Sequence, residues 1–206
     1  MVPGAPVMAG EAVHRALRDK KTALEQAIGR LSLLPAHDAL CLLKNSIAMP
    51  KLPFTLRSSP CSGSPVLTEF DNALRCGLSQ LLNVDLSDAH AVATGFLPVY
   101  KGGLGVRSAC MLAPSAFLAS AAATLPLQEA ILAPSIQSSN TEDHAVTEAL
   151  ETWHTMTDAA EPADASRRVQ RAWDEQIADS LSADALSPES PHRPGQTEGS
   201  RSTPRG

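Results

Sequence analysis

The sequence predicts an all-α protein: a small helical bundle with an αα-hairpin, followed by a loosely attached helix pair and a disordered C-terminal tail. Hydrophobic residues make up 43% of the 206 positions but aromatics only 3%. The core must therefore be built from Leu, Ala, Val and Ile, and Leu and Ala favour helix where β-branched and aromatic residues would favour strand. Apolar residues also recur at spacings of three and four along several stretches. Residues 187–206, finally, hold Ser, Pro, Gly, Arg and Glu with no large apolar side chain, so burial there cannot offset the entropy of ordering. The expected organisation is a helical domain over residues 1–132, a linker over 133–140, an acidic helix pair over 141–186 and the tail.

Taken in order, Gly10 to Leu34 carries Val13, Leu17, Leu24, Ile28 and Leu31 on one side and Arg15, Arg18, Lys20, Lys21 and Glu25 on the other. That is an amphipathic helix, ended by Leu34-Pro35. Ala36 to Ala48 places Leu40, Leu43 and Ile47 on one face, with Asp38 in the first turn where an acid suits the helix dipole. So short a connection predicts an antiparallel αα-hairpin. Lys51 to Arg57 is short and broken by Pro53, which predicts a helix end and then an extended connection. Ser58 to Pro65 is turn chemistry, with Ser64 as N-cap and Pro65 opening a helix that reaches Leu82. Val66, Phe70, Leu74, Leu78 and Leu81 form its buried stripe, while Glu69, Asp71 and Arg75 are expected to face water.

Asn83 to Gly95 reads as a polar connection with one helical turn capped by Ser87. Gly102, Gly103 and Gly105 then make the tightest glycine cluster in the chain, and such residues permit positive φ and close backbone approach. From Val106 a small-residue helix follows, including Leu112, Ala116 and Phe117, which Pro114 either kinks or restarts. Pro126 to Leu132 adds one or two turns. Thr141 to Met156 aligns Val146, Leu150 and Trp153, and Asp164 to Leu181 aligns Val169, Trp173, Ile177 and Leu181. These two helices are expected to pair through their tryptophans.

Charge divides the chain. Residues 1–125 carry 11 Lys/Arg against 8 Asp/Glu, whereas residues 126–206 carry 6 against 14. Any nucleic-acid contact belongs to the first part, although an excess of this size also fits an ordinary mixed surface. Gly102-Gly-Leu-Gly105 lacks the full Gly-x-Gly-x-x-Gly spacing and a preceding strand, so a tight turn is expected rather than a phosphate loop. Cys41, Cys61, Cys76 and Cys110 contain no Cys-x-x-Cys pair and are expected as reduced thiols, with Cys41 and Cys110 in the core. The six histidines show no zinc-type spacing, and His144 and His154 are expected on an exposed helix. No metal, cofactor or catalytic constellation is predicted. No secretory signal is read at the N-terminus, and no apolar run is expected to reach the roughly 18 residues of a membrane span. The expected compartment is intracellular, nuclear or cytoplasmic.

Three blocks carry a resemblance. Leu97-Pro-Val-Tyr-Lys-Gly-Gly-Leu-Gly-Val-Arg-Ser followed by Leu112-Ala-Pro-Ser-Ala-Phe-Leu-Ala-Ser120, the run His37 to Cys61, and Glu69-Phe-Asp-Asn-Ala-Leu-Arg75 fit in order and spacing. Together they resemble the region after the polymerase core in reverse transcriptases of non-LTR (LINE-like) retrotransposons, with Val106 where Ile is usual. The resemblance covers residues 3 to 125, with a fainter match at Val169 to Asp174. It implies a thumb and post-thumb fragment, since Gly4-Ala-Pro6 resembles the boundary just past the palm. The family's polymerase chemistry rests on paired aspartates that hold two magnesium ions, and this sequence has no Asp-Asp pair. The expectation is therefore a non-enzyme.

In the intact enzymes the thumb helices help hold the template-primer duplex. The resemblance makes Lys44, Lys51, Arg57, Lys101 and Arg107, which flank the matching blocks, the candidate contacts to an RNA–DNA or RNA duplex, bound weakly. Gly102, Gly103, Gly105 and Pro114 are the structural motif. A helical protein-interaction module that self-associates through an exposed apolar face is the alternative. An unrelated small enzyme ranks last.

Overall fold

The computed structural model describes residues 10–86, 94–131 and 140–186. The turn expected at Ser87, the linker before Asn140 and the tail lie outside the described residues. Among those described, every regular element is helical.

Helix α1 (Glu11–Leu31) buries the five residues its periodicity marks, Val13, Leu17, Leu24, Ile28 and Leu31. Glu11 in its first turn and Arg30 in its last both complement the dipole. The helix stops three residues short of the expected end, and Leu33 and Leu34 are exposed in the turn.

Helix α2 (Ala36–Leu42) passes into a π-helical turn (Leu43–Ile47) and a 3-10 turn (Met49–Lys51). The wide turn is closed by the Ala48 amide donating to the Leu43 carbonyl at 2.9 Å. It moves the register beyond it by one residue, so Ala48 and Met49 are buried and Ile47 only half-buried; ahead of it Ala39 and Leu43 are buried and Leu40 is half-buried. Pro50 disfavours a regular helix at Met49, which accounts for the change of pitch.

The extended connection expected over Lys51 to Arg57 is instead a short helix, α3 (Pro53–Ser58). Pro53 stands at the helix start, where its missing N–H removes no helical bond, and Leu52, Thr55 and Leu56 are buried. Tertiary packing thus decides a segment whose local signal pointed elsewhere.

Helix α4 (Pro65–Leu82) buries Val66, Phe70, Leu74, Leu78 and Leu81 as its stripe predicts. Ser64 is extended as an N-cap should be, but its buried hydroxyl makes no cap bond. The helix ends at Asn83, whose φ of 51° is left-handed, a conformation Asn tolerates. The expected hairpin of α1 with α2 is not the main pairing: α1 packs chiefly along α4 and meets the second segment at its π-helical turn, and a Cβ on Gly77 would lie 2.4 Å from Ile28 Cδ1.

Helix α5 (Ala109–Ile131) is the spine. It runs continuously through Pro114 and Pro126, so Pro114 does not restart it and the turns expected after Pro126 belong to it. It begins at Ala109 rather than Val106. Ala109, Leu112, Ala113 and Ala116 complete a core with α1 to α4, and one turn on Leu118 and Ala119 enter a second, smaller core. The expectation about apolar runs is corrected here: Ala109–Gln128 carries no charge and has the length and composition of a membrane span. Its first half is packed inside the bundle.

Helices α6 (Asn140–His154) and α7 (Gln170–Leu186) pack against α5 around Met111, Phe117, Leu118 and Ala119, so the pair is held to the bundle by more than its linker. Trp153 and Trp173 meet edge to face, ring centroids 5.2 Å apart, among Leu118, Ala119, Ala149 and Ile177. The helix expected from Asp164 starts only at Gln170, and Val169 is 52% exposed. The Trp173 indole donates to the Arg167 carbonyl at 2.8 Å, and Arg167 donates to the Pro162 carbonyl and to Glu161. These bonds fix a turn where periodicity suggested helix.

Candidate nucleic-acid interface

The glycine turn lies between a 3-10 turn (Val99–Lys101) and α5. Gly102 and Gly105 have φ of 84° and 71°, and a Cβ on Gly103 would sit 2.1 Å from the Leu97 carbonyl oxygen. The amides of Gly102, Gly103 and Gly105 donate to the carbonyls of Val99, Pro98 and Leu97 at 2.9–3.1 Å. With those donors already bonded, the turn is a packing device and offers no phosphate cradle.

The start of α5 is closed in the same way. Asp71, expected to face water, reaches across from α4 and accepts from Ser108 Oγ (2.5 Å), the Ala109 amide (2.7 Å) and the Cys110 amide (3.0 Å). A carboxylate from another helix thus caps α5, and Ser108 Oγ accepts from the Met111 amide at 3.2 Å. Burial pushes the Asp71 carboxyl above its usual range, against these hydrogen bonds, which pull it down. No anion can use this helix N-terminus while Asp71 fills it.

Most of the five candidate cations are already engaged. Lys44, half-buried, donates from Nζ to the Leu104 carbonyl at 3.2 Å. Lys51 is exposed, and its carbonyl accepts from Lys20 Nζ at 2.9 Å. Arg57 donates through Nε and Nη2 to Gln170 Oε1. Lys101 pairs with Asp179, whose carboxylate raises the Lys101 pKa. Arg107 pairs with Asp174 at 2.6 Å. Burial raises the Asp174 carboxyl above its usual range, the Arg107 guanidinium opposing this with a smaller effect. No carboxylate pairs Lys44, Lys51 or Arg57 among the described residues.

The structure therefore brings three of the five to one element, α7, and leaves Lys51 apart. Lys44 and Arg107 also share a cavity of about 310 Å³ between the glycine turn, α5 and α7, where Tyr100, Arg171, Asp174 and Glu175 complete the wall. Sequence reasoning missed Asp71, Asp174 and Asp179 as partners. These contacts join residues 37 to 78 positions apart, and only the acidic composition of the last helix hinted at the latter two.

Among the thiols, Cys41 is exposed rather than in the core, while Cys61 is buried. Burial pushes the Cys61 and Cys110 thiols up to about 12, which keeps them protonated and unreactive. His144 and His154 are both exposed on α6. Among the described residues no group of three His, Cys, Asp or Glu side chains is placed to hold a metal ion. Comparison of the chain with family models, with curated proteins and with solved structures finds no match.

Proposed function

We propose that this chain is a non-catalytic helical module of the reverse-transcriptase thumb and post-thumb type, which holds a nucleic-acid duplex weakly and does not synthesise. What supports the reading is that the three matching blocks interlock as one body. The His37 to Cys61 block reaches the glycine block through Lys44 on the Leu104 carbonyl. The Glu69 to Arg75 block reaches it through Asp71 on the first turn of α5. Residues far apart in the sequence are thus held in register by polar contacts drawn from the resembling stretches themselves.

With Lys101 and Arg107 paired to acids, the candidate cations without a carboxylate partner among the described residues are Lys44, Lys51 and Arg57. Three phosphate contacts give a log–log salt slope of about −2.7, or roughly 40-fold weaker binding between 50 and 200 mM salt. Titration of a labelled RNA–DNA duplex at those two salts tests this, and salt-independent or absent binding overturns it. Magnesium-supported nucleotide incorporation on a primed RNA template is expected to be undetectable, because the sequence lacks the paired aspartates such chemistry uses.

One observation favours a second reading, a protein-interaction module. The last two turns of α5 project beyond both cores with Leu125, Leu127 and Ile131 each more than half exposed. Salt-insensitive self-association in size-exclusion chromatography is the outcome that supports it.

A further inference from the structure

We infer that α7 is a built-in acidic mask: its Asp174 and Asp179 neutralise Arg107 and Lys101 and withhold these two cations from nucleic acid. The inference rests on the duplex-holding reading above and adds a regulator to it. Both side chains are engaged by this one helix, through Asp174 and Asp179 respectively, while Arg57 meets only the neutral Gln170. Asp174 and Asp179 are five residues apart, about 7.5 Å along the axis and roughly 140° around it, so they hold Arg107 and Lys101 at two different sides of α7. Each acceptor offers an oxygen where a phosphate would offer one.

The charge pattern agrees. α7 holds four acids against one arginine, and its Asp174 and Asp179 are ion-paired with cations of the basic part of the chain. Apolar packing keeps it in place, since Trp173, Ile177 and Ala178 are buried. The mask therefore does not come off with salt alone. It fixes the number of cations offered to a duplex at three instead of five, and any partner or modification that draws α7 away releases the other two.

Fluorescence-anisotropy titration of a short RNA–DNA duplex against the full chain, its Asp174→Asn/Asp179→Asn variant and Gln170→Glu tests the inference. Neutralising the two acids is expected to tighten binding about tenfold at low salt and to steepen the salt slope by about 1.8, corresponding to two added phosphate contacts. Adding Lys101→Ala and Arg107→Ala removes the gain. Gln170→Glu places a new acid beside Arg57 in the first turn of α7, where the dipole tolerates it; binding then weakens several-fold. The single change Asp179→Asn, at an exposed position, keeps the test open if the double variant folds poorly.

Salt-dependent duplex binding that is equal in wild type and every α7 variant overturns the mask and leaves the holding function standing. A neutralised variant that gains affinity for inorganic polyphosphate while neither protein binds duplex supports the mask and overturns the holding function. Failure of every protein to bind either polyanion overturns both.

Discussion

The two hydrophobic cores share α5 but are built differently. The larger one spreads its burial over α1 to α5 and is assembled almost entirely from Leu, Ala, Val and Ile, with Phe70 its single fully buried aromatic. The smaller one rests on Trp153 and Trp173 with four small or aliphatic neighbours. In a chain this poor in aromatics, both tryptophans go to the satellite. A few elements with little surface to share must concentrate their contacts in large side chains, whereas a five-helix core can accumulate them from many leucines. The cores should therefore respond differently to losing one residue.

The largest expected effect is at Trp153, which is fully buried. Trp153→Ala is expected to cost about 3–5 kcal/mol, read by urea denaturation, and to speed amide exchange in α6 and α7 while α1 and α4 stay protected. Leu74→Ala, equally buried in the larger core, is expected to cost about 2–5 kcal/mol and to raise exchange in every helix, because α5 loses its anchor. Uniform exchange in both variants would mean one cooperative unit, and the distinction between the cores would fail.

Next comes the turn that delivers α5 to both cores. In Gly103→Ala the new methyl meets the Leu97 carbonyl, and backbone must move to admit it, at a cost of about 1–3 kcal/mol. Gly102→Ala meets open space and carries only the penalty of its positive φ, about 1 kcal/mol. Thermal melts of the two variants rank them. The reverse order would show that conformation rather than close approach governs the turn.

Legibility from sequence follows the same division. The stripes of α1 and α4 were readable because their spacing is uninterrupted over 21 and 18 residues. The tryptophan pair was readable because two large apolar groups on otherwise acidic helices had few alternatives. What escaped was set by contacts distant in sequence. α3 is helical because Leu52 and Leu56 are buried beneath α5, and Asp71 turns inward because the amides of α5 arrive beside it. Three of the candidate cations were found as residues but without their partners, since these lie on α7, 67 to 113 positions further along the chain. Local periodicity carries no information about such pairings.

Two carboxyls, one on each side of α5, allow a finer test. Asp71 caps it from the larger core and Asp174 faces it from the smaller, and burial raises both above the ordinary value of 3.8. The folded chain then holds each proton to higher pH than the unfolded chain does. The contribution is fully present below 3.8 and is lost as pH rises through the raised folded value. Asp71→Asn is expected to cost about 1 kcal/mol near neutrality, from the impaired cap. For either Asn variant, the stability advantage of wild type should be greatest at the acid end and shrink as pH climbs from 3.8. Denaturation curves across that window check the sign, and an advantage that grows with pH would show that the hydrogen bonds outweigh burial.

The smallest expected effect is where α5 leaves both cores. Leu127 is 61% exposed, and no described helix covers the segment it belongs to. Leu127→Lys removes little buried area and keeps a good helix former, so stability should change by less than about 0.5 kcal/mol. Its informative readout is association, not folding. If the projecting turns of α5 join two copies, the substitution sets a charge in the contact and the sedimentation profile shifts to the monomer, while duplex affinity changes little. If the profile stays put, the exposed leucine is only the projecting end of the helix that organises both cores, and the self-association reading fails.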